Sequence, residues 1–354
     1  MHNSSKETRI LAIRNDKLGD FMLAWPAFAL LKHYWPESHI TALVPEYTAP
    51  IAKLCPTIDE LLIDPQDRNI FALLKLFRNV DFDAMLTLFS TTRIALSGIL
   101  TKIPYRLAPA TKIAQFFYNH RLTQRRSLSL KPEYLYNIEL AAQLLIDFKK
   151  VPSNFALNTR DHDHLPAEIT RPLLKLGNTA RSIRETFLKK YDLPNDSKLI
   201  FIHPGSGGSA ANLSINKFAE LAAQMTHQSG KKVSIVICAG PDERDSVKAL
   251  QAKLSSGTIS RIYHSTSGIG QFATTLMAAD IFISGSTGTL HVAGALNIPT
   301  VGFYPTKRSS TSLRWQTLSS PKRRLEFSLP EKGKVRPGEM FDIRKIAKEI
   351  IERL

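Results

Sequence analysis

A carboxylate follows a glycine near the start of the chain, in the segment RNDKLGDFML (residues 14–23). The run RILAI (9–13) before it is typical of a short buried strand, and the apolar stretch 21–34 behind it has the length of a helix. Gly19-Asp20 is therefore predicted to lie on a strand-to-helix turn, where α/β proteins often bind ligands. Two roles are open for Asp20. It either caps the helix by accepting hydrogen bonds from the first N–H groups, or it takes part in chemistry at this turn.

Two glycine-rich turns in the second half of the chain each follow a predicted strand. Glycine lets the backbone approach a ligand closely, and a helix N-terminus attracts phosphate. Either turn alone is weak evidence, but together they favour a diphosphate site. The first turn contains Gly205, Ser206, Gly207, Gly208 and Ser209. The second contains Ser286, Thr287, Gly288 and Thr289, and His291 follows in the first helical turn, from which its ring can lean back toward an anion.

Other nucleotide and metal motifs are weak or absent. There is no GxxxxGK[ST] sequence, which excludes a P-loop, and GSGG does not complete GxGxxG. Glu243 in GPDER follows the next strand, where it either accepts ribose hydroxyls or serves as a carboxylate at a helix start. The sequence DHDH (161–164) has metal-ligating residue types, but it lies in a polar boundary region. We therefore expect no metal site.

Length and composition indicate a two-domain cytoplasmic protein. A chain of 354 residues is long for one core. No apolar run approaches the ~18 residues of a membrane span, and the polar N-terminus has no signal-peptide core. Cys55 and Cys238 lie far apart in apolar surroundings and suggest neither a disulfide framework nor a metal site.

The net charge of +16 implies acidic partners. Basic residues cluster at 121–131, 307–308 and 322–324, but no nucleic-acid-binding signature accompanies them, so we expect no nucleic acid partner. An anionic membrane surface, a phosphorylated glycolipid and a merely solvated basic face all remain open.

Strand and helix patterns alternate twice along the chain, which predicts α/β architecture with doubly wound parallel sheets. Pro26 inside the first predicted helix, 21–34, should kink it. Scattered Pro, Asn and Asp at 150–196 indicate a boundary region.

Taken together, these motifs resemble glycosyltransferase family 9, whose best-known members are lipopolysaccharide ADP-heptose heptosyltransferases. IRNDKLGDFMLAWPAFALLKHYWPESHITALVPEY is similar to the family's opening strand, Gly-Asp turn, helix and second strand. FIHPGSGG, NKFAELA, ICAGPDE and STGTLHVAGALNIPTVGFYPT are similar to its donor-domain motifs, in the family's order. The resemblance covers nearly the whole chain.

The resemblance implies a GT-B architecture of two Rossmann-like domains facing across a cleft. Its expected parts are an acceptor domain at 1–165, a linker or insertion at 166–197, a nucleotide-sugar domain at 198–335, and a C-terminal helix at 336–354 that packs back on the first domain. It also implies an inverting transfer with no metal or other cofactor. The expected partners are a nucleotide-sugar donor and an anionic glycolipid acceptor, with peripheral association on the cytoplasmic face of the inner membrane.

The resemblance assigns Asp20 as the base that takes a proton from the acceptor hydroxyl. It places acceptor-binding residues at Arg14, Lys17, Gly19 and Arg106. Arg14 and Lys17 would bind acceptor phosphate or keep Asp20 ionised. N–H groups of the two glycine-rich turns would hold the leaving nucleoside diphosphate.

Two departures from the family pattern leave the donor open. Ser286 stands where many heptosyltransferases have Asp, and Ala211 and Leu213 stand near a frequent Lys and Trp. ADP-heptose, a different nucleotide sugar, or a catalytically silent module that binds nucleotide or glycolipid all fit the sequence.

Overall fold

The chain divides into two compact units, Met1–Leu173 and Leu174–Leu354. The computed structural model describes residues 7–65, 69–156, 165–177, 179–205, 212–329 and 342–354. The division falls inside the segment 166–197 that the sequence predicts as a linker. Each unit is described by itself below.

The first unit is built on one parallel sheet. Its strands are β1 (Arg9–Ile13), β2 (His39–Val44), β3 (Glu60–Ile63), β4 (Ala84–Thr87), β5 (Tyr105–Pro109) and β6 (His120–Leu122). They are arranged in the order β3-β2-β1-β4-β5-β6. Its helices are α1 (Leu18–Met22), α2 (Trp25–Tyr34), α3 (Ala49–Ala52), α4 (Ile70–Arg78), α5 (Thr92–Leu100) and α6 (Glu133–Asp147).

The helix predicted at 21–34 is broken, as Pro26 suggested. Leu23 and Ala24 separate α1 from α2, and Pro26 lies in the first turn of α2. Proline is tolerated there because its missing N–H would have no partner within the helix. The break leaves Gly19 and Asp20 on the short helix α1, which follows β1.

The second unit repeats this architecture. Its strands are β7 (Lys198–His203), β8 (Val233–Ala239), β9 (Ile259–His264), β10 (Ile281–Gly285), β11 (Thr300–Pro305) and β12 (Arg324–Leu329). Their order is β12-β11-β10-β7-β8-β9. Its helices are α7 (Ala180–Lys190), α8 (Ile215–Gln228), α9 (Arg244–Lys253), α10 (Gly268–Leu276), α11 (Gly288–Ala295), α12 (Ser312–Trp315) and α13 (Ile343–Ile351).

Both sheets are parallel and have the same strand order, with the first strand of each unit beside the fourth. The inner strands are apolar on both faces and are buried, as expected where helices cover a parallel sheet on two sides. The order reverses between β1 and β4 and again between β7 and β10. Ligands of doubly wound sheets bind at such switch points, beyond the carboxyl ends of the strands. The predicted α/β, doubly wound fold is confirmed.

The C-terminal helix α13 packs within the second unit. Its apolar face, Ile343, Ile346, Ala347 and Ile350, is buried in the core that β7, β8 and α8 also form. This apolar face is covered by α8, and packing of the C-terminal helix on the first domain stays a prediction. None of the helices in the described ranges is long and apolar enough to cross a bilayer.

Candidate active site

The carboxyl end of β1 carries a buried arginine that gathers carboxylates from several elements. Arg14 is 3% exposed, and its Nε donates to Asp16 Oδ1 at 2.9 Å while its Nη2 lies 2.5 Å from Asp20 Oδ1. Its Nη1 donates to Glu133 Oε1 on α6 and to the carbonyl oxygen of Leu88 beyond β4, each at 3.3 Å. Burial alone would lower the pKa of Arg14, but the three carboxylates outweigh it and hold that pKa above its usual value.

Asp20 is the third residue of α1, and the helix begins after Lys17, which makes no side-chain cap. The interpretation of Asp20 as an N-cap is therefore wrong. Its carboxylate is held by Arg14 and remains 15% exposed. A negative side chain in the first turn also suits the positive end of the helix dipole. The site thus presents a fixed, partly accessible carboxylate oxygen at the switch point.

Arg14 does not serve as a free phosphate ligand. Because its guanidinium is buried among three carboxylates, the predicted contact with acceptor phosphate is not supported. The structure shows instead the other predicted arrangement, in which Arg14 forms an ion pair with Asp20. Lys17 has an exposed side chain next to Asp20, and Gly19 lies between them in α1.

Asp16 is a functional candidate that sequence reasoning missed. Burial, with the charge of Asp20 adding to it, raises the pKa of Asp16 to about 7, although Arg14 opposes the shift. Asp16 and Asp20 thus share one guanidinium and differ in environment. The position of Asp16 in the turn between β1 and α1 was the signal that the sequence offered.

A cavity of about 840 Å³ opens beside Asp16, where β1, β2, β3 and β4 end. Asn15, Tyr47, Asp64 and Arg93 line it with Asp16. Arg93 Nη2 donates to both oxygens of Asp64, at 2.7 and 2.6 Å. Arg93 Nη1 and Asn15 Oδ1 are buried with no partner among the described residues. Such donors and acceptors can serve a polyhydroxylated ligand.

Arg106 lies away from this edge. It is near the amino end of β5, and its guanidinium donates to the carbonyl oxygens of Ile103 and Phe117, at 2.5 and 3.4 Å. The prediction that Arg106 contacts the acceptor is not supported, because the side chain is used to join the loop at Ile103 to the 3₁₀ helix that ends at Phe117.

The carboxyl edge of the second sheet holds a hydrogen-bonded chain of side chains. His203, the last residue of β7, places Nε2 2.9 Å from Glu243 Oε2 and Nδ1 3.4 Å from Thr289 Oγ1. Thr289 bonds to Thr287 at 2.8 Å, and Thr287 to Ser284 at 3.2 Å. The chain connects the ends of β7, β8 and β10. Sequence reasoning missed His203, although its place between a strand and a glycine-rich turn was a signal.

Glu243 lies directly over Gly205. A Cβ atom on Gly205 would come within 1.6 Å of Glu243 Oε1, so only glycine lets the carboxylate occupy this place. The hydrogen bond from His203 lowers the pKa of Glu243, and burial opposes it. His203 and the N–H of Gly240 both bind Oε2, and no described residue bonds to Oε1. Ser206, Gly207, Gly208 and Ser209 lie outside the described residues, as does the DHDH segment.

Some of the backbone N–H groups that were predicted to bind an anion at the start of α11 already donate hydrogen bonds within the protein. The N–H groups of Ser286 and Thr287 donate to the carbonyl oxygens of Phe303 and Gly285, at 3.1 and 2.7 Å. They are not available to a diphosphate, which corrects the role predicted for them. Thr287 precedes α11 without capping it by its side chain. The N–H groups of Gly288 and Thr289 have no acceptor among the described residues, so they can bind an anion.

The family model for glycosyltransferase family 9 (heptosyltransferase) matches residues 70–333. A Haemophilus influenzae protein described as a candidate glycosyltransferase is 41% identical over 326 residues, which are 91% of this chain and 89% of that protein. The chain belongs to glycosyltransferase family 9.

Solved structures agree with the fold of this family 9 glycosyltransferase. A family 9 glycosyl transferase from Veillonella parvula has a TM-score of 0.73 at 17% identity, covering 98% of this chain and 95% of that one. The E. coli ADP-heptose lps heptosyltransferase II has a TM-score of 0.73 at 16% identity, covering 98% of each chain. The matched family range begins after Asp20, so the role of Asp20 depends on its geometry.

His291 of the glycosyltransferase lies in the core. It is 2% exposed, burial lowers its pKa to about 4, and its Nδ1 has no partner among the described residues. The prediction that its ring leans toward an anion is not supported, because a buried neutral imidazole offers a diphosphate no charge.

His291 should make folding stability depend on pH. Its pKa is about 4 in the folded protein against 6.5 ordinarily, so the unfolded chain binds the proton more readily between these values. Stability should therefore fall by about 2 kcal/mol between pH 7 and pH 5 on account of this group. Urea unfolding at both pH values should show that His291→Leu loses this component, whereas His227→Leu, at an exposed position on α8, keeps it. If the free energy of unfolding changed equally between pH 7 and pH 5 in the wild type and in His291→Leu, His291 would not be the group responsible.

Proposed function

We propose that the enzyme transfers heptose from ADP-heptose to a lipopolysaccharide inner-core or related surface-glycan acceptor, with inversion at the anomeric carbon. The observation that carries the proposal is the fixed carboxylate of Asp20, held by Arg14 at the switch point of the first sheet. The proposed donor is supported by the name of the E. coli heptosyltransferase II, whose fold this chain shares.

The first unit would bind the acceptor. The cavity beside Asp16 offers hydroxyl-binding groups on Asn15, Asp64 and Arg93. Lys17 supplies an exposed ammonium for an acidic substituent. Asp20 would accept the proton of the acceptor hydroxyl as its oxygen attacks the anomeric carbon.

The second unit would bind the donor. Glu243 Oε1 can accept hydrogen bonds from ribose hydroxyls. The N–H groups of Gly288 and Thr289 and the positive end of α11 would hold the diphosphate. As the bond between the anomeric carbon and the diphosphate oxygen breaks, its electron pair stays on the diphosphate. Preorganised N–H donors stabilise that charge.

Transfer of another sugar is the second candidate. The position that carries Asp in many heptosyltransferases is Ser286 here, and a hydroxyl accepts fewer hydrogen bonds from a sugar than a carboxylate does. Competition between ADP-heptose and other nucleotide sugars for one acceptor discriminates the two candidates.

Asp20→Asn should keep the fold and ADP binding but lower turnover by roughly 10²–10⁴, because the amide cannot accept the proton. ADP release from ADP-heptose in the presence of glycolipid acceptor measures it. Asp81→Asn is the matched control, since it makes the same change at an exposed aspartate before β4, outside the site, and should cost less than about tenfold. Wild-type turnover in folded Asp20→Asn would contradict the role, and no turnover in the wild type with any nucleotide sugar would indicate a silent binding module.

Gly205→Ala should weaken ADP binding at least about tenfold, because the new methyl group displaces the Glu243 carboxylate. Gly230→Ala is the matched control, since a Cβ there meets nothing within 4 Å. Calorimetric titration with ADP compares the two variants. Equal affinities would place the nucleotide away from Glu243.

We further propose that the transfer needs no metal, because backbone N–H groups can take the charge of the leaving diphosphate. Activity should then be unchanged by EDTA. Abolition by EDTA and rescue by Mg²⁺ or Mn²⁺ would contradict this mechanism.

A further inference from the structure

A long stretch of the first unit carries positive charge without any acidic residue. Residues 84–132 contain no Asp or Glu, and their eight basic residues account for half of the net charge of +16. They are Arg93, Lys102, Arg106, Lys112, Arg121, Arg125, Arg126 and Lys131. Arg93, Arg126 and Lys131 pair with carboxylates outside the stretch, namely Asp64, Glu133 and Glu139. Exposed cations without an ion-pair partner among the described residues remain, and such cations of one sign attract anionic surfaces. They are Lys102, Lys112, Arg121 and Arg125.

The same stretch exposes large apolar side chains. Ile113 and Phe116, on the 3₁₀ helix Ile113–Phe117, are 75% and 72% exposed, and Ile99 and Leu100 at the end of α5 are also exposed. Single exposed apolar residues are ordinary, but four on neighbouring elements form a patch. Each pair has an exposed lysine beside it in the chain, Lys102 after α5 and Lys112 before the 3₁₀ helix.

The two elements are held together as one surface. The 3₁₀ helix packs against α5. Arg106 joins the loop after α5 to the end of the 3₁₀ helix, because its guanidinium donates to the carbonyl oxygens of Ile103 and Phe117. Beneath the patch, Ile94, Ala95, Ile103 and Ala114 belong to the buried core. The exposed side chains therefore stand on a rigid base.

We propose that this apolar-basic surface, formed by Ile99, Leu100, Lys102, Lys112, Ile113 and Phe116, docks the enzyme on an anionic lipid bilayer. Apolar side chains flanked by lysines match an interface of acyl chains beneath negative headgroups. Neither Lys102 nor Lys112 has an ion-pair partner among the described residues, so both ammonium groups can meet headgroups. A second copy of the chain is a poorer occupant, because two like-charged surfaces would repel.

The inference depends on the proposed function in one respect, which is that the acceptor is a lipid-linked glycan. Docking through the first unit would hold the acceptor-binding unit at the membrane that contains this acceptor. Vesicle binding itself needs no catalysis, so it can be measured whether or not heptose is transferred.

Co-sedimentation with vesicles of phosphatidylglycerol and phosphatidylethanolamine tests the proposal, with pure phosphatidylcholine vesicles as reference. The wild type should bind the anionic vesicles, and more weakly as salt rises, because added salt screens exposed charges. Phe116→Asp should weaken binding at least about tenfold, since it replaces an inserting ring by a charge that headgroups repel. Phe71→Asp is the matched control, because Phe71 on α4 is 76% exposed and lies outside the surface. It should change binding less than about twofold.

The double variant Lys102→Glu, Lys112→Glu gives a second test at exposed positions where misfolding is not expected. It too should lose vesicle binding, while both it and Phe116→Asp keep wild-type transfer to a detergent-free, soluble acceptor fragment. Equal loss in Phe116→Asp and Phe71→Asp would overturn the assigned surface. Wild-type binding in the double variant, or a concentration-dependent dimer that Phe116→Asp dissociates in sedimentation velocity, would also overturn it. Absence of transfer with intact, Phe116-dependent vesicle binding would overturn the proposed function alone.

Discussion

The buried guanidinium of Arg14 is the interaction on which the first site depends. A charge out of water is costly unless oppositely charged partners and hydrogen bonds surround it. Here the partners come from three places, namely the turn after β1, helix α1 and helix α6, and the carbonyl oxygen of Leu88 adds a contact beyond β4. Satisfying one arginine therefore fixes the ends of two strands and two helices relative to Asp20.

The two sheet edges share a topology but have opposite chemistry. The first edge concentrates carboxylates around one cation and leaves an oxygen of Asp20 accessible, which suits removal of a proton. The second edge has uncapped N–H groups at α11 and a chain of neutral hydroxyls beside His203, which suits a diphosphate. Gly205 shows how tightly the second edge is built, because even one methyl group would collide with Glu243.

Arg106 and Arg14 show that a basic residue in a family-like position need not bind substrate. Both guanidinium groups are satisfied inside the first unit, Arg14 by carboxylates and Arg106 by carbonyl oxygens. Other cations of the first unit are accessible, among them Lys17 beside the proposed base and Lys102 and Lys112 on the apolar-basic surface. The structure thus separates cations that hold the fold from cations that can meet anionic ligands.

The sequence by itself determined the alternation of strands and helices, the break at Pro26, the Gly19-Asp20 turn and the family, because each depends on neighbouring residues or on short motifs. Only the tertiary structure decided that Arg14 is consumed by carboxylates, that Arg106 supports loops, that His291 is buried and that α13 covers α8. Arg14 and Glu133 are 119 positions apart, and His203 and Thr289 are 86 apart. Such pairs meet only because strand order brings distant strand ends to one edge of a sheet, and local periodicity carries no information about that order.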